Sequence, residues 1–333
     1  MAQHAARTVE AVLLERDLTV RLGLRELPAP GAGEVLVRVE RAGVCGSDLH
    51  VLRTGAWVSH WPATLGHEVI GIVEHCPAGE LAAGQRVVVD SRVPCADCAG
   101  CTEAPNRCER LAWVGEAFPG GFESHLVVPA RNLVICPPGL DPAVGVLSEP
   151  LAVAMHAVGK LRHPPQRVLM LGYGPIGALV HLEIARRWPA AAVTVREPDP
   201  GRRRKAAAMG AAEVSGSAAT AGGARWPLVV DAAGYAGSLA DAVAMAANGG
   251  SVLAVALGHD PVELVPARIV ESGLAILGSN GFDAELPEAV ALLASDPGRW
   301  RPVISETISL KDAAARLSGL VETPSPGKVL IRP

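Results

Sequence analysis

The run V-L-M-L-G-Y-G-P-I-G-A-L-V-H-L-E-I-A-R-R-W, Val168 to Trp188, constrains the fold more than any other stretch. Val168 to Gly172 reads as a short buried strand, and Ile176 to Trp188 carries the apolar spacing of an amphipathic helix. Between them Gly172, Gly174 and Gly177 stand as G-x-G-x-x-G. That spacing is weak alone; a strand before it and a helix after it give it a mechanism. Gly172 permits a tight turn, Gly174 lets the backbone approach a pyrophosphate, and Gly177 lets the helix pack close on the strand. Pro175 and Ile176 lie where the helix opens, and its free N–H groups and dipole favour a phosphate there. The next strand, Ala191 to Glu197, ends in a carboxylate suited to adenosine ribose hydroxyls, which favours NAD. Arg196 and the run Arg202, Arg203, Arg204 could hold a 2′-phosphate, which leaves NADP open.

Strand and helix continue to alternate beyond this point. A helix is expected over "RRRKAAAMG", with strands at Pro227 to Ala233, Gly250 to Gly258 and Leu274 to Asn280. The pattern predicts an α/β domain with a doubly wound parallel sheet. The first 145 residues or so read differently. Short strands such as Glu34 to Val44, Val69 to Cys76 and Gln85 to Asp90 are broken by Gly and Pro, as in a barrel-like β domain. A helix at Leu147 to Leu161 marks the change. The C-terminal segment from Pro302 returns to strand, helix and strand, and is expected to rejoin the first domain. The expected division is 1–146 with 286–333, and 147–285.

Composition excludes several classes. A formal net charge of −4, with no basic block beyond Arg202 to Lys205, argues against nucleic acid as a partner. No stretch approaches 18 uncharged apolar residues, so no membrane span is expected. The N-terminus M-A-Q-H-A-A-R-T-V-E has no apolar core of a signal peptide. Seven cysteines, four of them clustered, fit metal binding in a reducing cytoplasm better than a disulfide framework. Abundant Ala, Gly, Pro and Arg suggest a GC-rich bacterial coding bias, which permits a natural-product pathway.

Cys95, Cys98, Cys101 and Cys108 give C-x₂-C-x₂-C-x₆-C. Four thiolates leave no open coordination position, so this spacing predicts a structural zinc that folds a lobe of about residues 93–110. A second donor set lies in "GVCGSDLH", "GHE" and "SEP", which offer Cys45, His67, Glu68 and Glu149. Sulfur, nitrogen and oxygen donors suit a catalytic zinc, which keeps one position for water or substrate. Taken singly, Cys45 could be a small buried hydrophobe, His67 a core histidine and Glu149 a helix-start carboxylate. Cys76 and Cys136 read as core thiols, and His156 and His181 as packing residues within helical patterns.

In their order, "CGSDLH", "GHE", the four clustered cysteines, "SEP" and "GYGPIG" resemble the zinc-dependent medium-chain dehydrogenases of the alcohol, polyol and threonine type. The resemblance runs from about Glu10 to "GKVLIRP". It implies a GroES-like β-barrel catalytic domain, a Rossmann cofactor domain, two zinc ions per chain and NAD or NADP. It implies Cys45 and His67 as direct ligands of a zinc in the cleft between the domains, with Glu68 and Glu149 sharing or exchanging the remaining coordination, as in the polyol branch. Asp48 would orient His67. Ser47 would hydrogen-bond the substrate hydroxyl, and His50 would carry its proton onward. The implied reaction is oxidation of a secondary alcohol (polyol, sugar, cyclitol or amino alcohol) to a ketone, by zinc polarisation and hydride transfer to the nicotinamide.

Two other readings stand beside this one. An NADPH-dependent ketone reductase is disfavoured by Glu197, and a non-catalytic zinc-stabilised protein by the intact Cys45, His67, Glu149, Ser47 and Gly172. Val51 to Leu65 joins two candidate ligands, so Trp57, Ser59, His60 and Trp61 are candidates for the substrate wall, with Trp113 to Phe122 as a second wall. Gly250 to Gly258 and Leu277 to Phe282 are candidates to approach the nicotinamide by backbone. A homodimer or homotetramer is also implied. One departure from the family is the last cysteine spacer, "TEAPNR", a residue shorter than usual.

Overall fold

The computed structural model describes residues 6–216 and 224–333; the first five residues of the N-terminal stretch read above lie outside it. Contacts divide the chain into two compact units, Met1–Glu149 with Asp283–Pro333, and Pro150–Phe282. Among the described residues, no helix is long and apolar enough to cross a membrane.

The first unit is built on a seven-stranded sheet. Its order is Ile304–Ser309, Lys328–Arg332, Glu34–Gly43, Glu68–His75, Arg86–Val89 and Leu133–Ile135, with His125–Pro129 also paired to Glu34–Gly43. The pairings are antiparallel except for the first, which is parallel. Val-rich strands fit this half-buried pleated surface: Val35, Val37 and Val39 alternate into one core, while Arg38 faces out. Two register shifts bend Glu34–Gly43 against Glu68–His75, and the pairing ends with Gly43 opposite Glu68. Gly43 therefore delivers the chain toward Cys45 beside Glu68. The C-terminal segment belongs to this unit because helix Leu310–Glu322 buries Leu310, Ala313, Leu317 and Leu320 in the same core, with Ile331 from the last strand.

The second unit holds a six-stranded, all-parallel sheet. Its order is Glu213–Ser215, Ala192–Arg196, Arg167–Leu171, Trp226–Asp231, Ala246–Ala254 and Ala275–Gly278. A parallel strand covered on both faces must be apolar along its length, and Val168, Leu169, Met170 and Leu171 are all buried. The direction in which successive strands are added to the sheet reverses at Arg167–Leu171, flanked on one side by the strand that follows it and on the other by Trp226–Asp231. Ligands of doubly wound sheets bind at the carboxyl end of such a switch point, where the glycine-rich turn begins.

Candidate metal centres and dinucleotide loop

Cys45 caps helix Gly46–Thr54 with extended backbone, φ −97° and ψ 160°. Asp48, in the first turn of that helix, accepts hydrogen bonds from the Cys45 N–H at 2.8 Å and the Gly66 N–H at 3.3 Å. One buried carboxylate thus ties together the two segments that carry Cys45 and His67. Asp48 Oδ1 lies 3.7 Å from His67 Nδ1, a charge contact longer than a hydrogen bond. Gly66, immediately before His67, has φ +98°, and a Cβ there would meet the Phe122 ring at 2.5 Å. Cys45, His67 and Glu68 bring one donor atom each to within 4.8 Å of one another.

Burial opposes a charge on His67, but Asp48, Cys45 and Glu149 outweigh it and hold the imidazole well above its ordinary pKa. Glu149 is outside the three-residue group, yet it is buried in the first turn of helix Ser148–Gly159 and its charge reaches the cluster. Burial pushes it up to about 7, with His67 pulling it down and Glu68 pushing it up. The structure therefore gathers Glu68, rather than Glu149, with Cys45 and His67.

Glu68 carries the main feature that sequence reasoning missed. Its Oε1 is paired with the ammonium of Lys328, which also donates to the Val44 carbonyl at 3.0 Å. Both side chains are buried. The other oxygen, Oε2, is buried without a hydrogen-bond partner, and a Cβ on Gly43 would lie 2.0 Å from it. The only signal in the sequence was a lysine inside the apolar strand K-V-L-I. An orphaned acceptor beside a thiolate and an imidazole is the donor set zinc takes, so these residues fit that ion.

Ser47 and His50 sit on the same short helix, both partly buried, and the His50 ring lies 4.8 Å from the Trp57 ring. Trp57 is exposed, whereas Trp61 packs on the core. The two expected walls touch each other: the Ser59 N–H donates to the Glu116 carbonyl at 3.4 Å and Ser59 Oγ to the Ala117 carbonyl at 3.1 Å.

The four clustered cysteines also converge, with donor atoms within 4.8 Å. Sulfur separations of 3.3 Å (Cys98–Cys101), 3.5 Å (Cys95–Cys108) and 3.6 Å (Cys95–Cys101) are far too long for a disulfide and close to the ~3.8 Å edge of a zinc–sulfur tetrahedron. Backbone N–H of Glu109, then the Cys101 thiol, lower Cys98 to about 6, which favours the thiolate a metal needs. The short last spacer is absorbed by Ala99–Glu103 and the turn Pro105–Arg107, folded so tightly that a Cβ on Gly100 would meet the Arg107 carbonyl at 1.8 Å.

In the second unit Gly172 has φ +83°, and a Cβ there would strike Ala233 Cα at 2.8 Å. A Cβ on Gly177 would lie 2.6 Å from the Gly172 carbonyl. Gly174 caps helix Pro175–Arg187, with Pro175 and Ile176 opening it; beside Gly174 the nearest atom to a Cβ is an Arg202 guanidinium nitrogen at 3.9 Å. That open side is where backbone can approach a phosphate, so the loop fits a dinucleotide.

Glu197 is buried, and it accepts from the Tyr173 N–H at 2.7 Å and the Asp199 N–H at 2.9 Å, with Arg202 Nη1 3.8 Å away. It holds the glycine loop, and its remaining lone pairs can still accept from hydroxyls. Arg203 folds the corner by donating to the Glu197 and Pro198 carbonyls.

His181 does more than pack: its Nδ1 meets Tyr173 Oη at 2.7 Å, both residues being buried. Burial lowers His181 to about 4 and raises Tyr173 above its ordinary value. Asp231, also missed, accepts from Ala233 and Gly234 N–H and Ser238 Oγ, fixing the loop that faces Gly172.

Known proteins place this geometry. Residues 31–138 match the alcohol dehydrogenase GroES-like domain, and residues 175–295 match the zinc-binding dehydrogenase family. D-altritol 5-dehydrogenase of Agrobacterium fabrum (strain C58) is 31% identical over 322 residues, covering 93% of each chain. A zinc-binding dehydrogenase of Sinorhizobium meliloti 1021, solved with NADP, superposes with TM-score 0.88 at 30% identity, over 98% of this chain and 100% of that one. The rspB alcohol dehydrogenase of E. coli CFT073, solved with NADH, gives TM-score 0.89 at 29% identity, over 98% of this chain and 99% of that one.

Proposed function

The chain belongs to the zinc-dependent medium-chain dehydrogenases, and from that premise we propose that it oxidises a secondary alcohol, of the polyol, sugar, cyclitol or amino-alcohol class, to a ketone with NAD or NADP. The observation that carries this reading is the convergence of Cys45, His67 and Glu68 with a buried, unpartnered Glu68 oxygen. Cys45 and His67 would hold the catalytic zinc, with Glu68 and Glu149 the carboxylates available to complete its coordination. Bound there, the metal would supply polarisation of the alcohol oxygen, and a dinucleotide the acceptor for the hydride.

The protein's own residues supply position and proton transfer. Asp48 fixes the two ligand segments to each other through Cys45 and Gly66. Lys328 pairs with Glu68 Oε1 and the Val44 carbonyl, and so fixes where the Glu68 carboxyl group stands. Ser47 accepts the substrate proton and His50, on the same helix face one turn later, relays it, since a histidine titrates near neutral pH. Gly172, Gly174, Pro175, Ile176 and Gly177 receive the pyrophosphate, Glu197 the ribose, and Arg202 sits where a 2′-phosphate would add its charge. The cysteine lobe keeps the structural zinc.

The assembly is a homodimer through the edge strand Ala275–Gly278. Among the described residues that strand pairs on one side only; it exposes Ala275 and Ile276, and follows a helix that exposes Val270. A two-fold copy pairing on that edge would satisfy its open backbone groups. Reduced, metal-poised thiols fit a cytoplasmic setting. The test is reduction of NAD and NADP by the zinc-loaded enzyme over a panel of secondary alcohols. Turnover that is lost on chelation and restored by zinc supports the reading; zinc-loaded protein that binds dinucleotide and turns over no alcohol or ketone opposes it.

A further inference from the structure

Residues Trp113–Phe118 form a tight turn. The Glu116 and Ala117 N–H groups both donate to the Trp113 carbonyl, at 3.2 and 3.0 Å, and the Gly115 N–H donates to the Phe118 carbonyl at 2.8 Å. This turn lies directly on the segment that carries His67. A Cβ on Gly115 would come within 3.1 Å of the Gly66 backbone. Gly120, Gly121 and Phe122 donate in turn to the Thr64, Gly66 and Leu65 carbonyls at 2.7, 2.7 and 2.9 Å. Glu116 is thus the residue after a backbone contact with the residue before His67. Its carbonyl also receives the Ser59 N–H, so it joins both walls that flank the ligand group.

The Glu116 carboxylate is half-buried and makes no hydrogen bond or ion pair among the described residues. Glu68 and Glu149 are the carboxylates offered to the metal, and the nearest other acidic groups have backbone or lysine partners. Asp48 is held by two backbone amides, and Glu68 by Lys328. Arg25, on the strand Val20–Leu27, is committed to Glu123 through two hydrogen bonds, at 2.8 and 2.6 Å. Burial raises the Glu116 pKa, while the charges of His67 (lowering it) and Asp48 (raising it) register its proximity to them. A partly desolvated carboxylate without a partner is costly unless a ligand supplies one.

We propose that Glu116 determines specificity, selecting a secondary alcohol that carries a protonated amine, an amino polyol or aminocyclitol, over its neutral and carboxylate analogues. This rests on the proposed dehydrogenase reading of the same site. An ammonium on the substrate meets Glu116 in a charge-assisted hydrogen bond, and a substrate carboxylate is repelled there.

The test uses one carbon skeleton with three end groups: D-glucitol, 1-amino-1-deoxy-D-glucitol and D-gluconate. A shorter set of propane-1,2-diol, 1-aminopropan-2-ol and lactate repeats it. Dissociation constants are measured by calorimetry on the zinc-loaded enzyme with saturating reduced dinucleotide, where oxidation cannot proceed, and kcat/KM is measured with oxidised dinucleotide. At neutral pH the amine should bind about tenfold or more tighter than the neutral alcohol, with the acid weakest. Glu116→Gln should collapse that ranking and Glu116→Asp should restore part of it, with zinc content and melting temperature reporting that both variants fold. A ranking that is absent in the wild type, or unchanged in Glu116→Gln, overturns the proposal, as does binding of none of the six compounds. The amine ranking in binding without turnover of any compound would sink the dehydrogenase reading alone. Turnover without amine preference would sink only the role of Glu116.

Discussion

Lys328 and Glu68 form an ion pair with almost no solvent access, and removing one partner strands the other's charge. Lys328→Met should cost about 3–5 kcal/mol in urea unfolding of the metal-free protein, and a loss under 1 kcal/mol would contradict a tightly held buried pair. His181 allows a pH test with a definite sign. Burial lowers its pKa to about 4, so below the ordinary value of 6.5 the unfolded chain takes up a proton that the native protein resists. Its contribution to stability is present above pH 6.5 and is lost as pH falls from there toward 4, by up to about 3 kcal/mol. Denaturant unfolding of wild type and His181→Gln across that range should show the steeper acid loss in the wild type; parallel profiles would contradict it. At this scale the sequence is legible where chemistry is local. "GVCGSDLH" and "GHE" each carry a donor and its immediate supports in a few residues. Lys328 was not legible, because its partner lies 260 positions away; Glu116 was legible only as part of the wall Trp113 to Phe122, because its own place depends on backbone contacts with the residues around Gly66.

Elements were legible where burial forces one pattern. The parallel strands had to be apolar along their length, and the glycine spacing followed from contacts that admit no Cβ. Gly177→Ala brings a methyl to 2.6 Å from the Gly172 carbonyl. The expected outcome is a dinucleotide dissociation constant raised about tenfold or more in a fluorescence titration, since overpacking of this kind costs roughly 1–3 kcal/mol. The hairpin Arg7–Leu14 with Val20–Leu27 left no comparable mark. Its turn uses Leu18 at φ +66°, a conformation that glycine or asparagine would have advertised. The cysteine lobe was legible because four donors leave zinc no open position. Cys98→Ser should lose one zinc equivalent and lower the melting temperature, while the Cys45, His67 and Glu68 group keeps its metal. Unchanged zinc content would contradict a closed four-thiolate site.

At the scale of the whole molecule, the chain leaves the first unit at Glu149 and re-enters it at Asp283, and the returning strand supplies the lysine that holds Glu68. Alternation of element types announced two kinds of architecture. The exposed edge Ala275–Gly278 did not announce itself, because an apolar strand reads the same whether it is covered by a helix, a neighbour strand or a second chain. Ile276→Lys places a charge on that edge and should shift the light-scattering mass toward the monomer; an unchanged mass would move the interface elsewhere. The central claim is that Cys45 and His67 hold the zinc on which turnover depends, apart from the zinc of the cysteine lobe. It is tested most directly by metal content and NAD(P)H formation in the wild type and Cys45→Ser. The account predicts two zinc ions and turnover of a secondary alcohol in the wild type, and one zinc ion, an intact fold and no turnover in the variant. Two retained zinc ions with undiminished turnover in Cys45→Ser would contradict it.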